Sequence, residues 1–418
     1  MTPARPNRRY QIALWLDRSV GPVACGALAL AKRFRKPRAS AGVRRVLVVK
    51  FWGIGSLVLA SPLFAEIVRR HPGARIDVVT LRANEAILRF YPQVSQRLTV
   101  DLDRGVLRFL RETAALVWRV RRERYDLVLD LEFFTRFSAI FSFLARGTRS
   151  HGFSSKGSAR GRLHDVEVPF SGYRHVVSNF LSLLRAAPQE APVDPDVERD
   201  LVLPPIAAGE DARARCARAL ESHAAYHPDR SLVVVNPNAG DMALERRWPA
   251  DRVAALLVGL VSRRDANVVL TGAPAEAAYV ASVAAGSGVA DRLIDLSGQL
   301  SIEELVALLG RADVFVTNDS GPLHIACAAG ASTAALFGPE TPVLYGPLRS
   351  REGQRHRVHY RGLGCSPCMF VHDNKVLSCW FAQAECMSQI PPADVLASVA
   401  SLLTAPDPGV AARRRASA

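Results

Sequence analysis

Short apolar runs rich in β-branched residues recur along the chain. Each is followed by a small or polar turn and then by a stretch with apolar residues three or four positions apart. The first run is Val46-Leu47-Val48-Val49, a composition suited to a strand buried on both faces. The turn Phe51-Trp52-Gly53-Ile54-Gly55 follows it. From about Ser56, Leu59, Leu63 and Ile67 share one helical face until His71-Pro72-Gly73 ends the pattern. Further strands are predicted over residues 75–81, 97–100 and 126–131, with helices over about 106–120 and 136–145.

A stretch rich in Pro and Ala over residues 186–209 interrupts this alternation and reads as a domain junction. The pattern then restarts, with strands over 232–235, 267–270, 293–295, 314–317 and 333–336. The helices between them cover about 248–263, 302–309 and 323–329. Strands alternating with helices call for parallel sheets covered on both faces. The expectation is an α/β protein of two Rossmann-like domains facing each other across a cleft. Its parts are an N-terminal extension (1–43), an N-terminal Rossmann-like domain (44–205), a C-terminal Rossmann-like domain (206–402) and a basic tail (403–418). In such sheets ligands sit beyond the carboxyl ends of strands. The polar loops Asn236-Pro237-Asn238-Ala239-Gly240 and Thr271-Gly272-Ala273-Pro274 lie there, as does the run after Thr317.

Composition adds charge to this picture. The chain has 418 residues, too many for one ordinary core, and a net charge of +15. Such an excess favours an anionic partner. Basic residues cluster at Arg5, Arg8 and Arg9, from Lys32 to Arg38, and at Arg413, Arg414 and Arg415. Aromatics are sparse and not interleaved with them, which argues against a nucleic-acid partner. Residues 20–31 are apolar but too few to span a bilayer. They read either as an interfacial anchor on an anionic membrane surface or as a helix packed on the main body.

The chemistry concentrates in Asp319-Ser320-Gly321-Pro322-Leu323-His324, between a buried strand and a helix. A helix N-terminus has unpaired N–H groups and the positive end of a dipole, so it favours phosphate. Gly321 admits close approach, Ser320 can cap the helix or bond a phosphate oxygen, and His324 stands in the first turn. An ordinary cap with a structural histidine fits the same residues.

Several ordered segments resemble the bacterial ADP-heptose:lipopolysaccharide heptosyltransferases of glycosyltransferase family 9. They are Asn236-Pro237-Asn238-Ala239-Gly240, Arg246-Arg247-Trp248-Pro249, Thr271-Gly272-Ala273-Pro274-Ala275-Glu276, Asp295-Leu296-Ser297-Gly298, Thr317 to Ala326, and Leu336-Phe337-Gly338-Pro339. The strand from Val46, its glycine turn, and Asp126 to Asp130 match as well, so the likeness covers roughly residues 44 to 400. It implies the GT-B fold and an inverting transfer of heptose or a related sugar from a nucleotide-diphosphate donor, with ADP-heptose suspected. The acceptor implied is lipopolysaccharide or another glycolipid, at the inner face of the cytoplasmic membrane. It also implies that Asn238, Arg246, Asp319, Ser320, Gly321 and His324 meet the donor phosphates and that Glu276 holds the ribose hydroxyls. No cofactor is implied for catalysis.

The first half departs from that family at one position. Where heptosyltransferases carry an Asp base after the cleft-facing loop with Gly53 and Gly55, this chain has Ser56. Serine is no base unaided, and its other role would be a helix cap. Glu132, at the end of the 126–131 strand, is the candidate replacement. Two Asp-x-Asp triplets, Asp101-Leu102-Asp103 and Asp194-Pro195-Asp196, are weak metal motifs. Cys365-Ser366-Pro367-Cys368 has metal-ligand spacing, and Cys379 and Cys386 could complete a structural zinc site, with His372 as a substitute ligand. Reduced cysteines or two disulfides are the alternatives. The competing functions are a sugar-nucleotide epimerase or hydrolase of the same fold, and a non-catalytic nucleotide-sugar-binding protein.

Overall fold

The computed structural model describes residues 8–34, 42–154, 159–184, 201–240, 243–263, 266–369 and 379–404. Arg5, Lys36, Arg38, the basic tail, the Asp194-Pro195-Asp196 triplet and His372 lie outside the described residues. The chain divides into two compact units, the second beginning at Leu201.

The first unit is built on six parallel strands: β1 (Arg45–Val49), β2 (Arg75–Leu81), β3 (Val94–Val100), β4 (Leu127–Asp130), β5 (Arg149–Ser154) and β6 (Val166–Pro169). Their spatial order is β3-β2-β1-β4-β5-β6. Val46 lies opposite Ile76 on one side and Leu127 on the other, and Val49 opposite Val79 and Asp130. Burial of β1 on both faces is why Val46 to Val49 are continuously apolar. Helices α1 (Arg8–Ser19), α2 (Gly21–Lys32), α3 (Ile54–Leu59), α4 (Ser61–Arg70), α5 (Val106–Glu123), α6 (Arg136–Ala145) and α7 (Val176–Ser182) complete the unit.

Two expectations change here. The helix expected to run unbroken from Ser56 is two helices with a break at Ala60. Pro62 causes it, because proline brings no N–H to the ladder and fits only the first turn of a helix. Nor does Ser56 cap a helix. Gly53 holds the cap position of α3 with φ +85°, and Ser56 lies inside the helix. A side chain at position 53 would be strained by that backbone and would meet Ser56 Oγ at 3.2 Å. β5 carries no apolar run, so its sequence does not announce it. Gly152 within β5 is required because a Cβ there would fall 2.3 Å from His164 Nε2.

The second unit repeats the plan with β7 (Ser231–Asn236), β8 (Ala266–Leu270), β9 (Ile294–Asp295), β10 (Val314–Asn318), β11 (Ser332–Phe337) and β12 (His356–Tyr360). All are parallel, in the order β12-β11-β10-β7-β8-β9. Its core gathers the apolar faces of β7, β8 and β10 with Val253, Leu257 and Leu260 of the Ala250–Ser262 helix and Val395 and Val399 of the Pro392–Thr404 helix. Trp248 is buried there, and its indole N–H donates to the Ile390 carbonyl at 3.2 Å. In each sheet the strand order reverses between its first and fourth strands, β1 and β4 in one, β7 and β10 in the other. Loops leaving such a reversal splay apart and open a crevice at the carboxyl ends.

Candidate functional site

The reversal in the second unit carries the loops after β7 and β10. Asn318, the last residue of β10, is fully buried and ties them together. Its side-chain NH2 donates to the carbonyls of Pro237 (2.9 Å) and Asn238 (3.0 Å), while its Oδ1 accepts from Trp248 N at 3.1 Å. Asn236 Oδ1 accepts from Asn238 N and Nδ2 at 2.9 and 3.1 Å, folding the loop over the strand end. Arg246 reaches across: its Nη2 donates to the Ala239 carbonyl at 2.9 Å and its Nη1 stands 3.4 Å from Asp319 Oδ2. Asn238, Arg246 and Asp319 therefore share one edge of the crevice. Ser320 holds the cap position of the Gly321–Ala329 helix without a side-chain cap bond, and its hydroxyl lies 3.3 Å from Thr317 Oγ1.

Some buried polar atoms at this edge make no hydrogen bond within the protein. They are Asn238 Oδ1, Arg246 Nε and, at the end of β8, Thr271 Oγ1. Grouped around one crevice, these atoms offer donors and acceptors that a polar ligand could engage. His324 is buried on the Gly321–Ala329 helix, its ring 6.5 Å from that of Tyr345. Glu276 lies on the neighbouring loop, its Oε2 accepting from Ala273 N at 2.8 Å. That bond holds the turn after β8, the last stop before the Ala277–Gly286 helix. The sequence marks Asn318 only as the start of a run, and Thr271 only as part of a polar loop at a strand end. A fully buried amide at a strand end is the signal that would have singled out Asn318.

The reversal in the first unit is organised by a charge pair. Glu132, just past β4, is fully buried. Its Oε1 accepts from the backbone N–H groups of Phe51 and Trp52 at 2.9 and 2.8 Å, and its Oε2 pairs with Lys50 Nζ at 2.9 Å. Both carboxylate oxygens thus fasten the glycine turn that carries Gly53 and Gly55. A second buried pair supports the loop after β4: Arg160 Nη2 meets Asp130 Oδ2 at 2.9 Å and the Glu132 carbonyl at 2.7 Å. Asp101, of the Asp-x-Asp triplet, is occupied otherwise. It pairs with Arg82 and Arg104 at 3.3 and 3.2 Å and accepts from Asp103 N.

The four cysteines do meet in space. Cys365, Cys368, Cys379 and Cys386 line one small cavity with Pro339 and Trp380, and all four are free thiols. Burial, reinforced by the neighbouring thiols, pushes Cys386 up to about 11. Among the described residues, no three His, Cys, Asp or Glu side chains are arranged as they stand to hold one ion.

Two Rossmann-like units with this strand order, and a polar cradle at a sheet reversal, have the architecture of the GT-B fold. The family model of glycosyltransferase family 9 (heptosyltransferase) matches residues 113–373, more than half of the chain, and the protein belongs to that family. Lipooligosaccharide heptosyltransferase 2 of Haemophilus influenzae is 26% identical over 310 residues, which cover 73% of this chain and 86% of the relative. Lipopolysaccharide heptosyltransferase 3 of Escherichia coli is 27% identical over 354 residues, covering 84% and 96%. Among solved structures, the E. coli ADP-heptose lipopolysaccharide heptosyltransferase II superposes with a TM-score of 0.66 at 20% identity, over 86% of this chain and 98% of that one. At such identity the superposition speaks for the fold.

Proposed function

We propose that the protein is an inverting glycosyltransferase that moves heptose from ADP-heptose to a lipopolysaccharide-type glycolipid at the inner face of the cytoplasmic membrane. The observation that carries this reading is the set of unsatisfied polar atoms at the second-unit reversal, beside Arg246 and the N-terminus of the Gly321–Ala329 helix. On this reading Asn238, Arg246, Asp319, Ser320, Gly321 and His324 receive the donor diphosphate, and Glu276 faces the ribose. The acceptor oxygen attacks the anomeric carbon, and the bond to the diphosphate oxygen breaks with its electron pair. Charge grows on the diphosphate, where a guanidinium and a helix N-terminus stabilise it without a metal.

Glu132 acts as a positioning residue and not as the base, because both of its oxygens are engaged in the buried clamp on the glycine turn. Ser56 has no basicity of its own. The hydroxyl proton then goes to a base that neither of these two residues supplies. The four thiols line one cavity but as they stand are not arranged to hold one ion, so a structural zinc outside the reaction would have to draw them together. One zinc per chain by elemental analysis is expected, and a folded, metal-free protein with four reactive thiols removes that role.

Calorimetry with a panel of ADP- and UDP-sugars tests the donor reading. ADP-heptose is expected to bind most tightly, and binding by no nucleotide sugar would sink it.

A further inference from the structure

Helix α2 is apolar around its whole circumference, with no charged residue between Gly21 and Ala31. One side is fastened to the first unit. Cys25 is fully buried with Ala139 of α6 and Leu163. At its end, Lys32 donates to the carbonyls of Arg162 and His164 and pairs with Asp165 at 3.7 Å. In α1, Asp17 accepts from the N–H groups of Arg136 and Phe137 at 2.8 Å each, so it caps the N-terminus of α6. The two helices are therefore a fixed part of the unit.

The opposite side of α2 is open. Val23 is 73% exposed, Leu30 57% and Phe34, just past the helix, 84%. Gly26 and Ala27, exposed too, complete a stripe at helical spacing, and Trp15 of α1 is 63% exposed. A helix apolar all round belongs in a core or against lipid, and only one side of α2 has a core to face. Charge chooses between occupants. Residues 8–34 hold five basic residues, of which Lys32 is turned inward onto Asp165, and one acidic residue. The acidic one, Asp17, is turned inward onto α6. A second copy of the chain would bring two cationic clusters together, whereas an anionic bilayer surface complements the cations and receives the apolar stripe.

We propose that α1 and α2 form a docking face by which the first unit rests on an anionic membrane surface, with Val23, Leu30 and Phe34 entering the headgroup boundary and Trp15 beside them. The inference rests on the reading that the acceptor is lipid-borne, because it gives the first unit a fixed attitude to the leaflet that holds the acceptor. Flotation of the full chain with vesicles tests it. Wild type should float with vesicles containing phosphatidylglycerol, float poorly with pure phosphatidylcholine, and be released by salt. The triple variant Val23→Ser, Leu30→Gln, Phe34→Ser should bind at least about tenfold more weakly, with its melting temperature unchanged because all three side chains are exposed. A variant that floats like wild type would overturn the proposal. So would a wild type that does not float, or a wild-type dimer that the variant turns into monomers. Nucleotide-sugar binding, measured on the same samples, reports separately on the transferase reading.

Discussion

Arg246 is tied at one end to the Ala239 carbonyl and at the other to Asp319, with its Nε buried and unsatisfied. A cation held this rigidly costs little reorganisation when charge develops on a leaving diphosphate. Arg246→Gln is expected to lower kcat by about 10²–10³-fold with little change in the melting curve, as steady-state kinetics beside circular dichroism would show. At Glu132 the expectation is different. Glu132→Gln leaves Lys50 buried without its counter-charge, so both stability and rate should fall. The pH–rate profile should keep its shape, because a positioning residue takes no proton from the acceptor. Loss of the acidic limb of that profile would restore Glu132 as the base. Ser56→Asp is expected to raise the rate by supplying a carboxylate to the turn, and no gain would place the limiting step elsewhere. Asp319 was legible as a candidate because a helix start after a buried strand is written in Asp, Ser and Gly, whereas Asn238 and Arg246 came only with the resemblance of their ordered segments to the family. The clamp of Lys50 and Glu132 was not legible. It joins residues 82 positions apart, which only the pairing of β1 with β4 brings together.

At the scale of elements, strands with continuous Val, Leu and Ile were legible, and so in part were the edge strands β3 and β9, whereas β5, β6 and β12 were not. β12 reads His-Arg-Val-His-Tyr and is half exposed, so nothing in its composition separates it from a loop. What holds it is pairing to β11 and a contact between His356 Nδ1 and Thr333 Oγ1 at 2.8 Å. Burial pushes His356 down from 6.5 to about 4. Folding therefore favours its neutral form. Its contribution is fully present above about 6.5 and is lost as the pH falls through about 4, where the folded imidazole must protonate. The denaturation midpoint of the protein should drop across that window, and His356→Asn should flatten the drop in urea melts run from neutral to acid pH. The break at Ala60 belongs to this scale too. Apolar spacing was continuous through Leu59, Leu63 and Ile67, and it overrode the signal of Pro62 in the reading of the sequence. Spacing reports which face is buried, whereas proline reports whether the backbone ladder can pass.

For the molecule as a whole, the alternation of strands and helices restarting after the Pro and Ala stretch was enough to indicate two Rossmann-like units. It could not give the strand order, which depends on tertiary pairing. That order is what puts the polar loops at the reversals, β1 against β4 and β7 against β10, and so converts scattered motifs into sites. The excess of basic residues was also visible from the start, but its meaning at the N-terminus came from burial: one side of α2 is docked, the other is bare. The central claim is that the second-unit crevice holds a nucleotide-diphosphate sugar whose sugar is passed to an acceptor. Its most direct test is mass spectrometry of a heptose-deficient lipopolysaccharide acceptor incubated with ADP-heptose and the purified protein. The account predicts one heptose added per acceptor, with equimolar ADP released and the anomeric configuration inverted. ADP released with free heptose and an unmodified acceptor, or no ADP at all, would contradict it.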